Sequence, residues 1–456
     1  MNILFINPPN VPFSDKNILI EPIDIISLAT YIATFGHKVS IIDMDTEQLQ
    51  ADDLEHVFDN KKPEVIVLTL DYHIPLHTTG TLIEINLIIN IAAQHNIKTV
   101  LGGKTATYFP ELVFEQCTLL DIIITFHMEN ALSQLLKEKT WDTPVLSTIN
   151  GIIFRSANKI IKNGLQEYTD INDLPMPDRR LIDIDHYIEV RSILSSRGCN
   201  GSCSYCPTPS FWGNWQGKSA TLVADEIEYL VKTTGSKKII FLDDNATVDN
   251  QRIIDICNLI IEKKLDVSLG CLAAVNTVNT DLLKKMYEAG FRWIHYGLES
   301  GSERILQSIK KHSTRDMILK TVQQSKEFGF RTRSSWILDL PDTEESDLEA
   351  TIELISRLET DEIRIHYLAL RAGSTIHREL VCDRFPSQYI HNSFPTVITA
   401  KVTRKYLQNR IDHLTQDLSK RNYVIIKSSA DMSNFFPTKA NSKILSFIPL
   451  KYGIGW

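Results

Sequence analysis

The stretch RGCNGSCSYC, residues 197–206, gathers Cys199, Cys203 and Cys206 into one short loop of a 456-residue chain that holds seven cysteines in all. A structural zinc site takes four ligands, usually in two closely spaced pairs. Here there are three thiols, and the nearest histidines in the sequence, His186 and His295, stand outside the motif. A disulfide would leave one thiol over. The other cysteines, Cys117, Cys257, Cys271 and Cys382, are scattered through apolar segments and read as buried reduced thiols. Three thiolates on a four-iron cluster would leave one iron open to a further molecule, which is the chemically useful arrangement. Spacing alone leaves both metals open.

The motif follows a candidate strand at 193–197, the first of six at 193–197, 238–242, 267–271, 293–297, 333–338 and 363–368. Helical patterns such as TLVADEIEYLVKTTG (221–235) separate them. Six strand–helix units are two short of a closed eightfold barrel, so residues 187–375 are expected to form a partial (β/α)6 TIM-type barrel. The cysteines then lie on the carboxyl-end face, where barrel sites are built. Trp212, Trp215 and Trp336 are candidates either for a substrate pocket or for the core.

Upstream, residues 1–145 alternate nearly all-apolar runs (2–7, 38–43, 64–70, 98–103 and 121–125) with amphipathic helices. That pattern predicts a Rossmann-like parallel-sheet domain covered on both faces, with ligands beyond the carboxyl ends of its strands. Residues 146–186 read as a linker: a hairpin in NGIIFRSANKIIKNG (150–164), then the Pro- and Asp-rich DINDLPMPDRRLID (170–183). Residues 376–456 are expected to form a small C-terminal α/β segment, a subdomain or a cover for the barrel mouth. Its helix carries Leu407, Ile411, Leu414 and Leu418 on one stripe. The whole is an α/β protein.

Composition narrows the partners. No run approaches the ~18 apolar residues of a membrane span. The N-terminus MNILFINPPN reads as a buried strand rather than a signal peptide, which favours a cytoplasmic location. Net charge is −8 with no long Lys/Arg run, which disfavours nucleic acid and leaves a small-molecule or peptide substrate.

CxxxCxxC with an aromatic residue, Tyr205, before the last cysteine resembles the signature of the radical S-adenosylmethionine (SAM) enzymes. FLDDN (241–245), GLESGSERIL (297–306) and AGST (372–375) resemble stretches common in one branch of that family. The preceding Rossmann-like domain, with NPPN (7–10) and GHKVSIIDMD (36–45), resembles that of the cobalamin-binding branch. The resemblance implies a 4Fe-4S cluster on Cys199, Cys203 and Cys206, with SAM on the open iron and Tyr205, Asp243, Asp244 and Glu299 around it. It implies cobalamin at Asn7, Pro9, Asp71, Tyr72, His73, Gly102 and Gly103, the two glycines letting backbone approach the cobalamin tail. An electron donor such as flavodoxin or ferredoxin completes the set.

The activity implied is methylation of an unactivated carbon through a 5′-deoxyadenosyl radical and methylcobalamin. The rival expectations are a cyclase, oxidase or rearrangement enzyme using the same cofactors, and a non-catalytic iron–sulfur or cobalamin-binding protein. Two departures bear on the site. DLPDTEE (339–345) places Asp339 and Asp342 where glycines are common, and LAAVNTVN (272–279) lacks an arginine often found there.

Overall fold

A computed structural model describes residues 1–9, 20–72, 81–157, 159–381, 400–421, 423–426 and 443–447. They form two compact units: Met1–Tyr187 with Ser210–Trp212 and the stretch beginning at His377, and Ile188–Pro209 with Gly213–Ile376 and the described residues from 400 onward. Among the described residues, no helix is long and apolar enough to cross a membrane.

In the first unit the apolar runs become parallel strands β1 (Asn2–Asn7), β2 (Lys38–Asp43), β3 (Val65–Thr69), β4 (Lys98–Gly102) and β5 (Ile122–Ile124). The hairpin of β6 (Ile152–Ser156) and β7 (Lys159–Lys162) adds antiparallel to β5, giving the order β2-β1-β3-β4-β5-β6-β7. The hairpin at the start of the expected linker is therefore part of the first sheet. The order reverses between β1 and β3, the switch point beyond which doubly wound sheets bind ligands. Helix Ile23–Ala33 packs Ile25, Ile26 and Ala29 with Ile3 and Phe5 in one core.

The second unit begins with β8 (Arg191–Ile193) and the short β9 (Ser196–Arg197), which pairs antiparallel with β10 (Gln216–Gly217). Then come β11 (Lys238–Phe241), β12 (Ser268–Ala273), β13 (Phe291–Glu299), β14 (Arg331–Ile337) and β15 (Glu362–His366), all parallel to β8. The six parallel strands expected for the barrel are thus present. Most of the helices between them start at a side-chain cap readable in the sequence: Ser219, Asp249, Asn279, Ser302 and Thr314 each accept a first-turn N–H.

The described strands of the C-terminal segment join the sheet of the second unit. β16 (Tyr423–Ile426) and β17 (Lys443–Phe447) pair parallel and extend the sheet from β15, in the order β16-β17-β15-β14-β13-β12-β11-β8. Helix Arg404–Lys420 connects to them, with Leu407, Ile411, Leu414 and Leu418 buried in the core of this unit. Short β-rich segments after a long amphipathic helix carry little periodicity, and their partner strand lies some 80 residues upstream.

Candidate active site

The cysteine loop leaves β9 through Gly198, whose φ of +83° suits glycine. Gly201 donates its N–H to Cys199 Sγ (3.3 Å), and the Cys206 N–H is received by the Cys203 carbonyl (3.1 Å). A Cβ on Gly201 would stand 3.4 Å from Cys199 Sγ and 3.9 Å from Cys203 Sγ, so two of the sulfurs flank a space that a side chain would enter. The cysteines are free thiols rather than a disulfide. Among the described residues, no three His, Cys, Asp or Glu side chains converge on a single metal ion. Three thiols around a small-residue loop, one already accepting a backbone N–H, fit a multi-iron cluster, whose irons each take one thiolate.

Burial raises the Cys199 thiol despite the Gly201 N–H, and burial beside Asp244 pushes the Cys206 thiol up to about 11. Loading the loop with metal therefore displaces protons from thiols.

β13 delivers Glu299 through a register shift at Gly297, with Glu299 at φ +67°. A non-glycine residue held there marks local strain of the kind stored at functional sites. Its Oε1 accepts from Tyr205 Oη (3.0 Å) and Lys311 Nζ (3.4 Å), which also reaches Tyr205 Oη at 3.4 Å. Burial would lower the Lys311 pKa, but the Glu299 carboxylate and the Cys203 and Cys206 thiols outweigh it and leave the ammonium raised. Burial and the same carboxylate raise the Tyr205 phenol. So Tyr205 and Glu299, both expected here, are brought together, and Lys311, which the sequence reading missed, joins them. Gly301 explains part of the GLESGS motif: a Cβ there would lie 2.4 Å from the Ala350 carbonyl oxygen, so the motif's turn packs backbone against helix Glu345–Leu358.

The two expected aspartates divide. Asp243 accepts from the Ser195 N–H (2.7 Å) and from the Ser195 and Ser196 hydroxyls (2.5 and 2.6 Å). Both its oxygens pin the strand pair that carries the cysteine loop. Asp244 accepts from Thr208 Oγ1 (2.9 Å) and lies electrostatically beside Cys199 and Cys206, so it is the aspartate nearer the thiols. The following helix is capped by Asp249 instead.

At the altered turn, Asp342 keeps the left-handed backbone (φ +61°) that a glycine would take. Asp339 is fully buried and accepts from the Leu368 N–H (2.6 Å); burial outweighs that bond and pushes its carboxyl up to about 7. The folded state thus holds a proton that the unfolded chain loses near pH 4. Stability falls as pH rises from about 4 to about 7, and the loss is complete above that. Asp339→Asn is expected to match the wild-type Tm at pH 5 more nearly than at pH 8, where it should be higher by on the order of 5 °C. Thermal unfolding at the two pH values checks this.

In the first unit, the carboxyl ends of β1, β3 and β4 carry three buried oxygens with no hydrogen-bond partner among the described residues: Asn7 Oδ1, Thr69 Oγ1 and Thr105 Oγ1. Orphaned acceptors at the switch point fit a ligand edged with amide donors, as cobalamin is. Asp71 and Tyr72 lie at the end of β3, their carbonyls receiving Lys104 Nζ at 3.1 and 2.6 Å. Pro9 ends the described part of the β1 loop, and His73 lies outside the described residues.

The glycine pair does not offer an open cradle. A Cβ on Gly102 would overlap Met128 (2.1 Å from Sδ), and one on Gly103 (φ +112°) would sit 1.8 Å from the Leu70 carbonyl oxygen. The close approach is made by the protein's own chain. Gly103→Ala is expected to cost roughly 3 kcal/mol or more, read by denaturant unfolding, because both the φ and the contact must give.

Trp212 packs with Tyr72 (5.4 Å between centroids) in the core of the first unit, and Trp336 is fully buried in the second. Both belong to hydrophobic cores. Trp215 borders a cavity of about 590 Å³ with Asn200, Asp249 and Asn279.

The chain thus joins a doubly wound sheet to a run of six parallel strands with a three-thiol loop at their carboxyl end. Residues 193–355 match the Radical SAM superfamily and residues 19–136 the B12 binding domain. The chain therefore carries a Radical SAM region and a B12-binding region. It is 29% identical over 333 residues to an uncharacterized methyltransferase of Pyrococcus horikoshii, covering 71% of each chain. It is 25% identical over 345 residues to the anaerobic magnesium-protoporphyrin IX monomethyl ester cyclase of Rubrivivax gelatinosus, covering 72% of this chain and 60% of that one. The structure of the radical SAM methyltransferase TsrM from Kitasatospora setae, with cobalamin and a [4Fe-4S] cluster bound, shares its fold at a TM-score of 0.69 and 17% identity, over 83% of this chain and 77% of that one. The cobalamin-dependent radical enzyme OxsB aligns at 0.74 and 16% identity, over 92% and 67%.

Proposed function

We propose that the protein methylates an unactivated carbon of a small biosynthetic molecule or peptide, using a [4Fe-4S] cluster, SAM and cobalamin. The observation that carries the reading is the loop of Cys199, Cys203 and Cys206 with Tyr205, Glu299 and Lys311 beside it, in a chain that also has a B12-binding domain. When bound, the cluster and SAM supply a radical able to remove hydrogen from carbon, and cobalamin supplies a methyl carrier.

The chain's own residues hold and shield. Cys199, Cys203 and Cys206 would ligate the cluster. The Glu299 carboxylate accepts from hydroxyl or ammonium groups, and burial keeps that interaction strong. Asn7, Thr69 and Thr105 would accept from cobalamin. No side chain is required as a proton carrier in this reading. The electron enters from a carrier such as flavodoxin or ferredoxin.

Cyclisation is the second reading, favoured by the match to cyclases over about the same share of the chain. Product stoichiometry separates them. Methylation consumes two SAM per product and releases S-adenosylhomocysteine beside 5′-deoxyadenosine. Turnover that yields 5′-deoxyadenosine alone would move the assignment to cyclisation.

A further inference from the structure

We infer that Lys311 sets the reduction potential of the cluster held by Cys199, Cys203 and Cys206, its fixed ammonium offsetting the negative charge that arrives when a one-electron carrier reduces the cluster. The inference rests on the reading of the loop as a [4Fe-4S] site, and it adds a residue that governs electron entry there.

The sequence puts Lys311 just past helix Glu303–Ser308, in a turn whose Lys310 takes φ +55°. The Lys311 N–H closes that turn on the Leu306 carbonyl (2.9 Å). Two hydrogen bonds then tie the turn to the cysteine loop. The Ser204 N–H donates to the Ile309 carbonyl (2.9 Å), and Ser202 Oγ and His312 Nε2 lie 2.8 Å apart. Ser202 and Ser204 flank Cys203, so both sides of that cysteine are fastened to the segment that carries Lys311. Of the lysine pair, Lys310 is exposed, whereas the Lys311 side chain is only 12% exposed. A Cβ on Gly297 would stand 2.6 Å from Glu299 Oε1 and 3.3 Å from Lys311 Nζ, so glycine leaves the room that the buried pair occupies.

Pairing with Glu299 is only part of this placement. The ammonium reaches Glu299 Oε1 and Tyr205 Oη at 3.4 Å each, the long end of the hydrogen-bond range. Burial opposes its charge; Glu299 favours it, and so, next, does Cys203, with Cys206 further down. At Cys199, where burial raises the thiol, Lys311 acts in the opposite sense. Such coupling is mutual: what the sulfurs do for the positive charge, the ammonium does for negative charge at the sulfurs. Lys311 is thus coupled electrostatically to all three cysteines.

Reduction adds one electron with no bond made or broken, so the cluster becomes one unit more negative. Cluster potentials follow net charge and local polarity. Salt screens a buried charge poorly. At an effective dielectric constant of about 20, a unit charge about 12 Å away changes such an equilibrium roughly tenfold, and a nearer one changes it more.

The test is an anaerobic redox titration of the reconstituted protein with dithionite, without SAM, followed by the electron paramagnetic resonance of the reduced cluster. Iron content is measured on every variant. Glu299→Gln is compared with Glu299→Gln/Lys311→Met, because with the carboxylate already gone the two differ by the ammonium alone. The double variant is expected to have a reduction constant at least about tenfold smaller, a midpoint about 59 mV more negative. Lys311→Arg, which keeps the charge, should stay within about threefold of wild type, as should Lys232→Met on the exposed face of helix Ala220–Thr234. Should the methionine variant fail to fold, Glu299→Gln/Lys311→Gln, which keeps a donor without the charge, should show the same shift. Equal potentials in Glu299→Gln and the neutral double variants, or a Lys311→Arg shift as large as theirs, would overturn the inference and leave the cluster reading intact. A wild-type protein that takes up no four-iron cluster would overturn both, and the iron content shows which has failed.

Discussion

Cys203→Ala is expected to purify without the cluster's visible absorbance, to cleave no SAM under reducing conditions, and to retain cobalamin at the wild-type level. Three thiols are the minimum for a four-iron cluster with one iron left open, so the loop of Cys199, Cys203 and Cys206 has no thiol to spare. Substituting the partners around a metal ligand typically costs 10–100-fold, and loss of a ligand itself should exceed this, at least about 10³-fold in SAM cleavage. Cobalamin retention follows from placement. The orphaned oxygens of Asn7, Thr69 and Thr105 belong to a unit with its own core, built on β1 to β5 and the helices that cover them. Anaerobic absorbance, iron content and 5′-deoxyadenosine yield, measured on wild type and variant together, check all three parts. Residual cluster in the variant would mean that a fourth ligand, unseen in this loop, exists.

Glu299→Gln should act twice. The Glu299 and Lys311 side chains are 9% and 12% exposed, so the pair is buried rather than a surface bridge. Removing the negative charge leaves the ammonium of Lys311 buried beside a phenol and thiols, and breaking one side of a buried pair costs about 3–5 kcal/mol. On the proposed reading, the same change also replaces a charged acceptor for SAM with a neutral amide oxygen. A hydrogen bond to a charged group is worth about 1.5–3 kcal/mol, so SAM affinity should fall roughly 10- to 150-fold. Adding Lys311→Met separates the effects: the double variant should regain most of the stability and none of the SAM affinity. Thermal unfolding and equilibrium dialysis with SAM measure the two independently. A single variant as stable as wild type would show that the pair is solvated and the array does not organise the site.

How much of this was legible in the chain depends on how local the signal is. Strand positions in both sheets followed from short apolar runs between helix caps such as Asp249 and Asn279, which are local features. The cysteines and Glu299 stood out because their motifs are contiguous. Lys311 did not, since a KK pair after a short helix reads as a solvated turn, and only packing brings it 3.4 Å from Glu299. Asp243 stands in a contiguous motif, yet its hydroxyl partners lie 47 and 48 residues earlier, a relation that no window of sequence contains. Gly102 and Gly103 suggested room for a ligand; glycine marks close approach without saying what approaches, and here it is Met128 and Leu70. The C-terminal strands were hidden for a related reason. Four or five residues have no periodicity to speak of, and their place in the sheet is set by β15.

The central claim, that one chain holds both an iron–sulfur cluster and cobalamin, is tested most directly by metal analysis after anaerobic reconstitution with iron, sulfide and hydroxocobalamin, followed by desalting. The account predicts about four irons and one cobalt per chain. Iron without cobalt would reduce the first unit to a scaffold and remove the methylation reading. A single zinc in place of the irons would contradict the account outright.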